Sequence, residues 1–169
     1  GNGAAEELAL AADGNLLLVG TALGTFIYDS FDFRFYTLLR SEEPVMAIAS
    51  SPDNELIAVL EGHGRLVIYN QDSFEKISEI NISKDLQIRD SKPILFFSPK
   101  SDSLTLLNES VDQIDILLWE AESWELQSSF VVNTGLGSFV NPDVGILGVI
   151  TEDNLILHSL VLPGDFRIL

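Results

Sequence analysis

A turn, an apolar run, a second turn and another apolar run recur four times in this sequence. The clearest copy is SSPDNELIAVLEGHGRLVIYN, residues 50–70. The opening turns of the four copies read AADGN, SSPDN, FSPKS and VNPDV, starting at positions 11, 50, 97 and 140. Such a repeat constrains the fold strongly, because it predicts one structural unit that is used four times.

Each unit contains four runs of strand type. In the second unit they are PVMAIA, LIAVL, RLVIYN and KISEINI, spread over residues 44–82. The middle runs are continuously apolar, as in strands covered on both faces, whereas KISEINI alternates, as in a strand that meets solvent. Gly, Pro, Asn and Ser interrupt any helical period. The sequence therefore predicts an all-β protein.

Four-stranded antiparallel units with a period of roughly 40 to 50 residues are typical of β-propeller blades. We expect a single domain, residues 1–169, with blades at about 6–40, 44–82, 92–132 and 134–169. The last blade is expected to be incomplete, because FRIL is the only strand-like run after its third run. A β-sandwich is the alternative, since short periodic strands also suit two packed sheets.

The third runs end in Tyr28–Asp29, Tyr69–Asn70, Trp119–Glu120 and His158–Ser159. This pattern resembles the WD-repeat family, in which the third strand of a blade ends in Trp-Asp. Only Trp119 keeps the Trp. Gly62 and His63 lie in a different turn from the family's Gly-His pair, and Leu23 and His63 replace its turn Asp in the first two units.

The resemblance implies a propeller that presents loops to partners. Most family members close a ring of seven blades, so we expect four units to be part of a larger protein or assembly, with the ring completed by missing sequence or by another chain. Residues 17–33, LLVGTALGTFIYDSFDF, also resemble the first blade of phosphoinositide-binding and citron-homology propellers. The paired arginines of the lipid-binding group have no counterpart in this chain.

The chain is strongly acidic, with 9 Lys and Arg against 26 Asp and Glu and a net charge of −17. A negative surface repels phosphate backbones and anionic headgroups and attracts basic segments. We therefore expect a protein partner, one with a basic segment, and no nucleic acid. The alternative interpretation is that the acids only keep a hydrophobic β protein in solution.

Several features that the sequence lacks indicate where the protein works and which chemistry to expect. It has no Cys, no apolar run of the roughly 18 to 20 residues that cross a bilayer, and a start unlike a signal peptide. These features favour the cytoplasm or nucleus without membrane insertion. No catalytic serine motif or metal-ligand spacing surrounds His63 or His158, so we expect no enzyme activity, metal or cofactor. A propeller enzyme or small-ligand propeller, with polar side chains in a central channel, is the alternative.

Three connections are expected to open on the same rim: residues 40–44, 61–65 and 83–91. Loops on a rigid scaffold concentrate function. The predicted function is a non-enzymatic interaction or scaffold module, and the candidate partner-binding residues are Arg40, Glu42, Glu43, Glu61, His63, Lys84, Asp85, Arg89 and Asp90.

Aromatic residues recur after the third runs, at Phe31, Phe33, Phe74 and Trp124. Recurrence favours a repeated packing role over the outer strand, with interface anchoring as the alternative.

Overall fold

The computed structural model describes residues 4–82, 92–141, 145–152, 154–160 and 166–168. Their strands are β1 (Glu7–Leu10), β2 (Leu16–Thr21), β3 (Gly24–Asp29), β4 (Phe35–Arg40), β5 (Val45–Ser50), β6 (Leu56–Glu61), β7 (Arg65–Asn70), β8 (Lys76–Asn81), β9 (Lys92–Phe97), β10 (Ser103–Glu109), β11 (Gln113–Glu120), β12 (Leu126–Asn133), β13 (Gly137–Asn141), β14 (Ile146–Ile150), β15 (Leu155–Ser159) and β16 (Phe166–Ile168). Within these ranges no helix is long and apolar enough to span a bilayer.

The strands form four antiparallel sheets of four, each made of consecutive strands: β1–β4, β5–β8, β9–β12 and β13–β16. We call them blades 1 to 4. The prediction of an all-β, propeller-like chain with four blades is confirmed. A sandwich of two sheets is excluded, because four separate sheets stack in sequence. Blade 4 has a fourth strand, β16, of only three residues.

Each blade packs on the next through apolar side chains. The front face of a blade is defined as the face toward the following blade, and the rear face as the opposite one. Leu18 and Ile27 on the front of blade 1 meet Ile57 and Val59 on the rear of blade 2. A second cluster joins blades 2 and 3, including Leu60 and Leu95, and a third joins blades 3 and 4. The core therefore consists of layers between blades.

The repeated opening turn has one repeated geometry. Gly14, Asn54 and Ser101 all have positive φ, from 60° to 76°. Each donates its backbone N–H to the carbonyl three residues earlier, at 2.9 to 3.0 Å. The repetition in sequence thus reflects a position that needs left-handed backbone, which Gly and Asn adopt most readily.

These turns also connect neighbouring blades. The Asn54 side chain accepts a hydrogen bond from the Asp13 N–H at 2.9 Å, and the Ser101 hydroxyl accepts one from the Asp53 N–H at 3.2 Å. The left-handed residue of one blade therefore holds the turn of the preceding blade.

The turns between third and fourth strands repeat as well. Phe33, Phe74 and Trp124 have φ of 58° to 59°. Their N–H groups donate to the carbonyls of Asp29, Asn70 and Glu120, four residues earlier, at 2.8 to 3.1 Å. The carboxylate of Asp29 accepts hydrogen bonds from the N–H groups of Phe31 and Asp32, which lowers its pKa. The recurrent aromatic therefore occupies a strained backbone position at one fixed place in each turn.

Candidate interaction rim

Two of the three predicted rim connections lie side by side at one edge of the molecule. The β4–β5 connection and the β6–β7 turn meet where the Gly62 N–H donates to the Pro44 carbonyl at 2.9 Å. The Ile82 N–H donates to the Gly64 carbonyl at 2.8 Å, so Ile82, the last described residue of blade 2, lies beside the same turn. Lys84, Asp85, Arg89 and Asp90 lie outside the described residues.

Charged side chains join these two loops. The His63 Nε2 lies 2.7 Å from the Glu43 Oε1, with 57% and 32% of the two side chains exposed. The Glu42 N–H donates to the Glu61 Oε2 at 3.4 Å. Glu42 and Arg40 are both exposed. The structure therefore brings four of the predicted rim residues, Glu42, Glu43, Glu61 and His63, into one cluster.

The cluster continues into blade 2 through a network of four charges. The Arg65 guanidinium bonds both oxygens of Glu61, at 3.0 and 3.2 Å, and the Glu79 Oε2 at 3.0 Å. The Lys76 Nζ also lies 3.0 Å from that Glu79 oxygen. Hydrogen bonds from Arg65 and Lys76 lower the pKa of Glu79 to about 2, and those from Glu79 and Glu61 raise the pKa of Arg65.

Glu61 itself is fully buried between blades 1 and 2. Removing a carboxylate from water is costly unless it is paired and hydrogen-bonded, and Arg65 and the Glu42 N–H supply those partners. Burial, and secondarily the charge of Glu61, raises the pKa of Tyr69. The Glu61–Arg65 ion pair holds the rim loops from beneath. The loops therefore form a preorganised surface.

Sequence reasoning placed Arg65 in the rim connection at 61–65 without making it a candidate residue, and it missed Glu79 and Lys76 altogether. The signal that was available is positional, because Glu61 opens the turn after the second strand of its blade, as Thr21 and Thr151 do in blades 1 and 4. Those threonines cap their own turns: each hydroxyl bonds the carbonyl three residues later, at 3.0 and 3.1 Å. A carboxylate at this capping position of blade 2 needs a cationic partner, and Arg65 is the nearest candidate in the sequence.

The second histidine, His158, is a core residue. It is 6% exposed, faces blade 3 and pairs with Leu147 in the position that Tyr69 and Trp119 take in blades 2 and 3. Burial lowers its pKa. No group of three or more His, Asp or Glu suited to a metal ion occurs in the part of the chain that the structure describes.

The recurrent aromatics divide into two groups. Phe74 packs against the layer between blades 1 and 2, with its ring centroid 6.5 Å from that of Tyr36 on blade 1. Trp124 packs against the layer between blades 2 and 3. Phe33 and Phe31, in the turn of blade 1, are 67% and 95% exposed. The recurrent aromatic thus packs against an apolar layer between blades in blades 2 and 3, and is exposed in blade 1.

Together, the sheets and the rim define a β-propeller-like domain with a charged loop surface at one edge. No protein-family model matches the sequence, and no curated protein matches it. Among solved structures, 1072 chains match, so the fold is widely shared and singles out no activity.

One of the matching structures is hydrazine synthase from Kuenenia stuttgartiensis. The match has a TM-score of 0.74 and 12% sequence identity, and it covers 98% of this chain and 49% of that chain. This chain therefore spans about half the length of the solved chain it matches, and at this identity the likeness is one of fold alone.

Proposed function

We propose that this chain is a non-enzymatic interaction module of the WD-repeat-like type, in which the rim loops bind a basic segment of a protein partner. The observation that carries the proposal is the rim cluster itself. Two loops are joined by the 2.9 Å Gly62–Pro44 hydrogen bond and the 2.7 Å His63–Glu43 pair, and Glu42 stands exposed between them. Loops held in this way lose little entropy on binding.

Charge supports the choice of partner. The chain carries a net charge of −17, and the rim contributes Glu42 and Glu43 at its surface. A negative field steers basic ligands and speeds their association, and salt screens it over roughly 10 Å at 0.1 M. Binding at the rim should therefore weaken as salt rises.

The test uses a Lys- and Arg-rich peptide as the probe, titrated by fluorescence anisotropy against the whole chain. The double variant Glu42→Lys with Glu43→Lys should weaken binding about 10-fold or more, because it reverses two charges at the contact surface. The matched control is Glu122→Lys with Glu125→Lys. Both of these glutamates are exposed in the turn between the third and fourth strands of blade 3, at the opposite edge.

The two double variants change the net charge equally, so their comparison separates rim contact from the overall field. A Kd near the wild-type value in the control, with loss in the rim variant, supports the proposal. Equal weakening in both variants would show that the peptide senses only net charge, and the rim proposal would fail.

A further inference from the structure

The junction between blades 3 and 4 differs from the two junctions before it. In those, the first strands of neighbouring blades lie against each other, β1 against β5 and β5 against β9. Fewer Cα atoms of β9 and β13 come within 8 Å of each other. On the front face of blade 3, Ile94 is 45% exposed, whereas Ala47, its counterpart in blade 2, is 3% exposed. The first strands of blades 3 and 4 are therefore splayed apart.

The register traces this difference to one residue. Because directly paired residues share a face, one first-strand position on the rear face can be followed through the chain: it is Ile48 in blade 2, Leu95 in blade 3 and Ser138 in blade 4. Ile48 and Leu95 are 6% and 7% exposed and pack in the layers toward the preceding blades. Serine has a shorter side chain than either, so Ser138 fills less of the junction.

A cavity of about 100 Å³ lies at this junction, between two blades that the chain itself supplies. One wall of the cavity is apolar, because Leu107, Ile114 and Leu147 line it and are only 2% to 3% exposed. The mouth is polar, with Glu109 exposed and Ser138 half-buried. The cavity therefore combines an apolar interior with a negative charge at its entrance.

The carboxylate at the mouth is only weakly engaged inside the protein. The Ser138 hydroxyl lies 3.4 Å from each of the two Glu109 carboxylate oxygens. Hydrogen bonds from a hydroxyl to oxygen are normally about 2.5 to 3.0 Å long, and bonds from a charged donor are stronger than those from a neutral one. A cationic N–H donor at the mouth should therefore bind Glu109 better than Ser138 does.

We infer that this cavity binds a small primary ammonium ion with a short apolar chain. The chain packs against Leu107, Ile114 and Leu147, and the ammonium group donates to Glu109 and Ser138. An apolar cavity of about 150 Å³ holds benzene, so one of about 100 Å³ holds roughly four carbon atoms. The net charge of −17 also attracts cations to the chain. n-Butylammonium has the required size and charge.

The order of the groups favours a free amine over a lysine side chain of a partner. In lysine the ammonium group is at the far end, so insertion would press the charge against the apolar wall, where an unpaired charge is costly. In n-butylammonium the apolar end enters while the charge stays at the mouth. The site is therefore a small-molecule site, and it is independent of the peptide binding proposed for the rim on blades 1 and 2.

The first experiment titrates n-butylammonium chloride into the ¹⁵N-labelled whole chain and follows the assigned amide signals by NMR. We expect saturable shifts around the junction with a Kd of roughly 1 to 10 mM, as suits a ligand of so few atoms. n-Butanol has the same chain without the charge and should bind about 10-fold more weakly or worse. N-acetyl-lysine methylamide should give no saturable shift at the junction.

Two variants test the residues that form the site. Ser138→Leu places at this position the side chain that blade 3 carries there, so it should fill the cavity, abolish the saturable shifts and leave the melting temperature equal or higher. Glu109→Gln keeps the shape but removes the charge, so it should bind n-butylammonium no better than n-butanol. The matched control is Glu122→Gln, at an exposed glutamate between β11 and β12, which should bind both compounds as wild type does.

Unchanged n-butylammonium binding by Ser138→Leu, or equal affinity of the wild type for n-butylammonium and n-butanol, overturns the inference. Signals that drift without saturation across the acidic surface would also overturn it, because they report only attraction to the net charge. Saturable binding of the capped lysine would contradict the orientation. Ser138→Leu should leave peptide binding at the rim unchanged, so failure of this inference is distinguishable from failure of the rim proposal.

Discussion

The Asn54 side chain accepts a hydrogen bond from the Asp13 N–H at 2.9 Å, while the Asn54 backbone has a φ of 63°. One residue therefore closes its own turn and holds the turn of the preceding blade. Ser101 has the same geometry one blade later. At this scale, the recurring turn residues are explained by two needs at once, left-handed backbone and a side-chain acceptor.

We expect Asn54→Ala to lower the free energy of unfolding by about 1 to 2 kcal/mol, since Ala loses the acceptor and tolerates positive φ poorly. Asn54→Gly removes the acceptor but suits the backbone, and should cost less. Urea denaturation of the three proteins measures both differences. Equal losses in the two variants would contradict a contribution from the backbone conformation.

Strands β6, β7 and β8 are joined by ion pairs as well as by apolar packing. Arg65 on β7 bonds Glu61 on β6 and Glu79 on β8, so one guanidinium links three strands. Planar guanidinium groups suit such shared carboxylate contacts, which a Lys would hold less well. The network lies directly beneath the candidate rim.

The pH dependence of stability should report this network. Folding lowers the pKa of Glu79 from 4.5 to about 2, so the folded chain holds this proton less strongly than the unfolded chain. The stabilisation is therefore complete above about pH 4.5 and is lost as the pH falls toward 2. Wild type should exceed Glu79→Gln in unfolding free energy at pH 6, and the gap should close near pH 2.

The control for this prediction is Glu75→Gln, at an exposed position just before β8. Its difference from wild type should stay small across the same range, as for most surface substitutions. If the difference in unfolding free energy between wild type and Glu79→Gln instead grew as the pH fell, the folded state would favour the protonated Glu79 side chain.

The whole molecule combines a layered apolar core with a strongly negative net charge. Three clusters between blades hold the sheets together, and a net charge of −17 acts against compactness. Repulsion among like charges destabilises a folded state, and dissolved salt screens it.

The melting temperature should accordingly rise as NaCl is increased from about 0.02 to 0.5 M. A variant with Glu122→Gln and Glu125→Gln, at exposed positions outside the charge network, should start from a higher melting temperature in low salt and show a smaller rise. Differential scanning calorimetry measures both. A melting temperature that falls with salt would show that attractive ion pairs outweigh the overall repulsion.

Much of the architecture was predictable because its causes are local. Apolar runs such as LIAVL at 56–60, bounded by turn residues, coincide with strands to within about one residue, as helix and strand ends generally allow. The placement of His63 and Glu43 on one rim followed from the alternation of strand direction. The bonds among Arg65, Glu79 and Lys76 did not follow, since cross-strand contacts depend on register and on a bulge at Ile68 and Tyr69.

The sequence by itself therefore determined the strands, the repeating unit and the position of the loops, because hydrophobic period and turn chemistry act over a few residues. Only the tertiary structure decided which apolar residues are covered. Leu8 and Ile48 look alike in sequence and hold the same place in their blades, yet one is 61% exposed and the other 6%. Burial depends on which blade packs against the face, and residues of neighbouring blades lie about 40 positions apart along the chain.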